Sequence, residues 1–223
     1  MLRKTYRHYA MCGDSTSEAD VAKLMDGEKA DMVFTDPPYG MNLDTDYSSM
    51  PGGVKHRKIE GDDKDYDASF LLDYFSSVPE IFLFGSDYYC HSLPKNKGSW
   101  IVWDKYHTDT NERIGSSFEL CWSKNRHKRS IARVKAVNTS WETVKERVGH
   151  PTQKPISLAE WFFDRWGKDN DLVVDLFLGS GSTLIACEKT NRRCYGMEID
   201  VKYMNVILKR FEEYSGDTAE RIS

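Results

Sequence analysis

Thr35-Asp36-Pro37-Pro38-Tyr39-Gly40 sets a carboxylate, two rigid imino acids and an aromatic ring within six residues. Each proline fixes its own φ and pushes the residue before it toward extended backbone, so Asp36 and the Pro37 carbonyl are held in a preset shape. Two acceptors of that kind suit an exocyclic amine on an aromatic base, a poor nucleophile because its lone pair is shared with the ring. When the Asp36 carboxylate and the Pro37 carbonyl accept both amine protons, the nitrogen is drawn toward tetrahedral geometry and its lone pair is localised toward an electrophile. Tyr39 offers a face on which the base can stack. No metal and no covalent nucleophile is required, because alignment of an in-line displacement supplies most of the acceleration. The structural alternative is a Pro-Pro loop with a capping aspartate, and the position at the end of an apolar strand favours the chemical reading.

A second constellation lies far along the chain, in Asp175-Leu176-Phe177-Leu178-Gly179-Ser180-Gly181-Ser182-Thr183. Gly179 and Gly181 let the backbone turn tightly and approach a ligand without a Cβ, and Ser182 and Thr183 offer donors at a helix N-terminus. Glu198 follows 19 residues after Gly179, at the end of the next strand, where an acid can accept the hydroxyl protons of a ribose. The glycines do not complete Gly-x-Gly-x-x-Gly, so a pyrophosphate cofactor is less natural here than an amino acid joined to a nucleoside. A glycine turn alone could be structural, and Glu198 is what points to a ligand. Together the two constellations suggest a methyl group moved onto a base.

The elements that must position them follow from periodicity. A helix is expected over 18–25 and a buried strand over 31–35, ending at Asp36. Further strands are expected at 80–85, 100–103 and 117–123, and helices at 70–75 and 156–166, the latter with Leu158, Trp161, Phe162 and Trp166 at helical spacing. Strand 172–177, helix 182–190 and strand 193–198 form a βαβ unit. Alternating strands and helices predict an α/β fold with a doubly wound, mostly parallel sheet, as one domain over 1–223 with extended loops. Residues 41–64 are polar, carry Lys55, Arg57 and Lys58, and read as a long mobile loop.

The chain has 223 residues, enough for one well-buried core, and its formal charge is -4. That charge argues against indiscriminate nucleic-acid binding but hides an asymmetry. Residues 120–141 hold no acid and six cations: Lys124, Arg126, Lys128, Arg129, Arg133 and Lys135. These form either a DNA surface or a solvated face. No apolar run is long enough to span a bilayer and no signal peptide opens the chain, so a soluble, cytoplasmic protein is expected. The five cysteines are scattered without a Cys-x-x-Cys pair, so they read as small buried hydrophobes and no metal site is expected. The histidines at 8, 56, 91, 107 and 127 read as solvated or structural, and the tryptophans as core, except Trp141 after the basic run.

On these motifs the chain resembles the amino-group DNA methyltransferases that use S-adenosylmethionine, specifically the beta class, in which Asp-Pro-Pro-Tyr precedes Phe-x-Gly-x-Gly. Here Asp36, Pro37, Pro38 and Tyr39 come before Phe177, Gly179, Ser180 and Gly181. Cys12-Gly13-Asp14 resembles the family's element beside the cofactor adenine, His150-Pro151-Thr152-Gln153-Lys154-Pro155 its segment ahead of the cofactor helix, and Tyr195-Gly196-Met197-Glu198 its ribose-binding strand end. The resemblance implies a Rossmann-like fold and a cofactor site drawing on Asp14, Asp36, Thr152, Lys154, Asp175, Phe177, Gly179, Ser180, Gly181, Ser182, Thr183 and Glu198. It implies methyl transfer to a flipped base in DNA, with restriction-modification as a setting. Aspartate at position 36, rather than serine, resembles the N6-adenine enzymes; cytosine N4, or a non-catalytic nucleic-acid-binding module of the same fold, is the alternative. Lys55, Arg57, Lys58, Arg126, Lys128, Arg129, Arg133 and Lys135 are the expected DNA contacts, residues 124–149 a small target-recognition segment, and a homodimer a reasonable assembly.

Overall fold

The computed structural model describes residues 7–40, 66–106, 116–137, 146–148, 150 and 152–222. The expected loop at 41–64 with Lys55, Arg57 and Lys58, Trp141, and most of 138–149 lie outside them. The described residues form one eight-stranded sheet: β1 (His8–Cys12), β2 (Met32–Thr35), β3 (Glu80–Phe84), β4 (Ser99–Asp104), β5 (Phe118–Ser123), β6 (Ser130–Arg133), β7 (Leu172–Asp175) and β8 (Arg193–Glu198). Their order is β1-β8-β7-β2-β3-β5-β4-β6. Only β5 runs against its neighbours, so the expected mostly parallel α/β sheet is what forms.

Buried parallel strands read as continuous apolar runs, because helices cover both faces. Met32, Val33, Phe34 and Thr35 are all buried, and so are Leu172 to Asp175. On one face α3 (Ile156–Trp166), α4 (Ser182–Lys189) and α5 (Val201–Ser215) pack Leu158, Phe162, Phe163, Leu184 and Ile207 against Phe34, Phe82, Phe84 and Trp103. Phe162 is the hub, in edge contact with Phe34, Phe82 and Phe84 at 5.0 to 5.4 Å; truncating a ring so enclosed costs roughly 3–5 kcal/mol. On the other face α1 (Glu18–Met25) and α2 (Ser69–Tyr74) bury Val21, Leu24 and Leu71 against Val33, Ile81, Val174 and Met197. Among the described residues no helix is long and apolar enough to cross a membrane.

Three elements have no counterpart among the sequence-based expectations. β1 is only half-buried and carries His8 and Tyr9, which blurs its alternation. β6 is a four-residue edge strand whose alternate residues are exposed, so its cations mask it. α5 did carry a signal: the Asp200 side chain accepts from the Lys202 amide as N-cap, and Met204, Ile207 and Arg210 follow at helical spacing.

Candidate active site

β2 and β7 are hydrogen-bonded neighbours, with Met32 opposite Val173 and Val33 opposite Val174. From β2 the chain proceeds through α2 to β3 on one side, and from β7 through α4 to β8 on the other, so the connection order reverses between them. A crevice opens at the carboxyl ends of strands at such a point. The two constellations stand at those two ends, and the Thr35 hydroxyl donates to Asp175 Oδ1 at 2.7 Å to tie them together. A cavity of about 950 Å³ lies over them, lined by Asp36, Pro37, Pro38 and Tyr39 on one side and by Phe177, Gly179, Ser180 and Ser182 on the other.

At the amine end Asp36 accepts from two side chains, the Tyr39 hydroxyl at Oδ1 and the Lys154 ammonium at Oδ2. Lys154 Nζ also stands 3.2 Å from Glu119 Oε2, and Lys105 Nζ stands 2.6 Å from Glu119 Oε1. Burial pushes the Asp36 carboxyl above its ordinary range; the Lys154 charge pulls the other way without cancelling it. Burial also opposes charge on Lys154 and Glu119, but their partners outweigh it, raising the lysine and lowering the glutamate. Tyr39 is pushed far up by burial and by Asp36, which keeps it a hydrogen-bond donor. Its ring sits on Gly85, where a Cβ would lie 1.9 Å from Tyr39 Cε1 and φ is +64°, so only glycine fits at the end of β3. The ring is stacked against Tyr88, centroids 5.2 Å apart and planes 7° from parallel.

At the other end backbone groups hold the site. Glu198 accepts from the Gly179 amide at 2.8 Å and from the Asp200 amide at 3.0 Å, one on each oxygen. Burial raises its pKa, offset by those two amides, and each oxygen keeps a free lone pair for a hydroxyl. Asp14 Oδ1 accepts from the amide and hydroxyl of Thr16, which fixes the carboxylate at the cavity rim. Gly179 has φ +53° and leaves only 3.1 Å from a would-be Cβ to His150 Nε2. Gly181 takes a different part: its Cβ position faces Ile207 of α5 at 3.1 Å, so it admits helix packing and is absent from the cavity wall. Buried Arg210 donates from Nη1 to the Ser180 carbonyl at 2.9 Å and clamps the turn. Gly181 caps the start of helix α4 without a side-chain hydrogen bond, and the first helical residues, Ser182 and Thr183, line the cavity, where their amides suit an anion. Two carboxylates for hydroxyls, the Phe177 ring and a helix N-terminus fit a nucleoside that carries an amino acid.

Every expected catalytic residue therefore lines the cavity, as do Asp14, Thr152, Lys154, Asp175, Phe177, Gly179, Ser180, Ser182, Thr183 and Glu198. Lys154 reaches Asp36 rather than the glycine turn, while its carbonyl accepts from the Ser182 hydroxyl at 2.7 Å and links the two ends. Asp175 is buried beneath the cavity, and that burial pushes its carboxyl to about 6. The basic stretch is divided. Lys124 Nζ donates to the carbonyls of Ser76 and Val78, and Arg126 Nη2 to that of Asn96, at the amino ends of β3 and β4. Because β6 runs parallel to β4, Arg126, Lys128 and Arg129 lie at the end of the sheet away from the cavity. Arg133, 3.8 Å from Asp104, and Lys135 beyond it lie at the cavity end. Sequence reasoning missed Glu119, Gly85, Tyr88 and Lys105. Glu119 had a signal: an acid inside an otherwise apolar strand is costly unless it is paired.

The sequence model of a family described as DNA methylase, covering the N6 and N4 amino-group enzymes, matches residues 30–209. Type II methyltransferase M2.MboI of Moraxella bovis is 29% identical over 114 residues, 51% of this chain and 41% of that one. Type II methyltransferase M.HpaI of Haemophilus parainfluenzae is 26% identical over 232 residues, 87% of this chain and 72% of that one. The chain thus spans less than half of the first relative and under three quarters of the second. Among solved structures, the complex of M1.HpyAVI with SAM superposes with a TM-score of 0.62 at 20% identity, covering 91% of this chain and 99% of that one. The cytosine-N4-specific PvuII DNA methyltransferase superposes with a TM-score of 0.61 at 15% identity, covering 98% and 89%. These likenesses speak for the fold.

Proposed function

The chain belongs to the N6/N4 DNA methylase family, and from that premise we propose that it transfers a methyl group from S-adenosylmethionine to the N6 amine of an adenine turned out of DNA. One observation carries the reading: Asp36 and the Gly179 turn stand at the carboxyl ends of adjacent parallel strands and line one cavity.

Bound there, the cofactor supplies an electrophilic methyl on a sulfonium, which leaves with the bonding pair as a neutral thioether. Glu198 and Asp14 hold the ribose and adenine side, and the Gly179 turn with the start of α4 receives the amino-acid side. Asp36 and the Pro37 carbonyl accept the two protons of the target amine, directing its lone pair at the methyl carbon. The proton released as the new C–N bond forms passes to Asp36. Tyr39 supports the base and, through its hydroxyl, orients Asp36. Extruding the base costs a few kcal/mol, and cations at the carboxyl end of the sheet, Arg133 and Lys135, help hold the distorted duplex. Aspartate at position 36, where serine is the other pattern, supports adenine as the target.

The test is incubation with isotopically labelled S-adenosylmethionine and mixed-sequence DNA, followed by digestion to nucleosides and mass spectrometry. Labelled N6-methyladenine is expected. Labelled N4-methylcytosine would move the target to cytosine, and no labelled nucleoside would overturn the reading.

A further inference from the structure

Glu119 lines the cavity, and the reading above gives it no role. It stands in β5, the one strand that runs against the others, opposite Trp103 of β4. Its Oε1 is taken by Lys105 at 2.6 Å. Its Oε2 is buried and makes no aligned hydrogen bond, although Lys154 Nζ lies 3.2 Å away. Lys154 thus stands between two carboxylates, hydrogen-bonded to Asp36 and ion-paired with Glu119 Oε2 at 3.2 Å without an aligned hydrogen bond there. The ammonium also rides over the rings of Phe84 and Trp103, at 5.0 and 5.8 Å from their centroids, faces that tolerate a small displacement of a cation.

This arrangement conflicts with the chemistry proposed for Asp36. An ammonium bonded to Oδ2 draws charge out of the carboxylate and weakens it as an acceptor for the amine. Methyl transfer then puts positive charge on the amine nitrogen, next to a cation that repels it. We propose that Glu119 is a positioning residue for methyl transfer: it takes over the Lys154 ammonium when the target amine engages Asp36, so that Asp36 is held in place before the reaction and released to the amine during it. The inference rests on the amino-methyl-transfer reading above and deepens it. The cluster of Asp36, Glu119, Lys154 and Lys105 is neutral overall, so the transfer of the ammonium moves charge within the cavity without importing any. The Asp36 charge is also felt by Tyr39, Tyr89, Cys121 and Asp175, and burial raises the pKa of each of them, Asp175 to about 6.

The test is the pH profile of single-turnover methyl transfer, at saturating cofactor and DNA, for the full chain and the variants Glu119→Gln and Lys154→Met. The acid limb reports ionised Asp36. Removing Glu119 removes a neighbour that raises the Asp36 pKa, so in Glu119→Gln the limb moves to lower pH. In the same variant Lys154 stays on Asp36, so the plateau falls by about tenfold or more. Removing Lys154 deletes the charge that favours the carboxylate, so in Lys154→Met the limb moves up, by about one to three pH units. Glu119→Asp restores part of the plateau. A Glu119 that only sets the charge around Asp36 would displace the limbs in the same opposite senses but leave the Glu119→Gln plateau at the wild-type value. Limbs that move in the same direction, or an unchanged Glu119→Gln plateau, would overturn the proposal; if Lys154→Met does not fold, the Glu119→Gln plateau and limb decide alone. If the wild-type chain transfers no methyl to DNA, the underlying reading falls and this inference with it; wild-type transfer with unshifted variants defeats the inference only.

Discussion

Two carboxylates face the same cavity and are held in opposite ways. Glu198 receives two backbone amides, from Gly179 and Asp200, and neither can leave without unfolding a turn. Asp36 receives two side chains, from Tyr39 and Lys154, and neither bond is part of the backbone. The glycine end is built to be occupied by one ligand of fixed shape, and backbone dipoles that need no reorganisation serve that purpose. On the proposed reading the proline end admits a base, accepts its protons and lets the product go, and exchangeable side-chain partners suit that sequence of events. Rigidity at one end and exchange at the other are tied together by the Thr35–Asp175 and Ser182–Lys154 hydrogen bonds.

The sharpest way to break the contrast is to move Tyr39 without touching the cofactor end. Gly85→Ala drives a methyl into the Tyr39 ring, and methyl transfer is expected to fall about a hundredfold with the cofactor Kd unchanged; equal losses in both would mean that the ends are one rigid unit. Glu198→Ala is the converse. Its cofactor Kd should rise about 10- to 100-fold by calorimetry, while turnover at saturating cofactor stays near wild type. The third prediction concerns which end of the sheet meets DNA. Charge removal at Arg133 and Lys135 should weaken DNA binding and reduce the slope of log affinity against log salt by about 0.9 per lost phosphate contact. The triple Arg126, Lys128 and Arg129 neutralisation should leave that slope unchanged, and the opposite pattern would put the duplex on the far end.

The smallest effect is read in stability, at Asp175 between the two ends. Its folded pKa of about 6 lies above the ordinary 3.8. Its stabilising contribution is therefore full at pH values below the unfolded pKa and is lost as pH rises through about 6. Relative to wild type, Asp175→Asn should gain stability across that window, by on the order of 1 kcal/mol. A difference independent of pH, in denaturant titrations from acid to neutral, would show that Asp175 is better solvated than its burial implies.

The backbone-held end was the more legible of the two from sequence. Gly179 and Glu198 declare themselves by residue type, spacing and strand ends, because a tight turn and an acid at the next strand tip have few other uses. At the proline end Asp36 to Tyr39 could be read, but Lys154 and Glu119 come from segments 118 and 83 residues away along the chain. Nothing local announces that they meet; the antiparallel placement of β5 brings Glu119 in, and pairing topology of that kind is a tertiary outcome. The basic stretch is divided for a related reason. Its cations are contiguous in sequence, yet β6 carries them from one end of the sheet to the other, so Arg126 and Arg133 face different surroundings.

The central claim is that Asp36 acts on the amine while the glycine end holds the methyl donor, and the most direct measurement pairs two readings on Asp36→Ala. The account predicts S-adenosylmethionine binding by calorimetry within a few-fold of wild type, together with a loss of single-turnover methyl transfer to DNA of about a thousandfold or more. Wild-type turnover in that variant, or a loss fully explained by weaker cofactor binding, would contradict it.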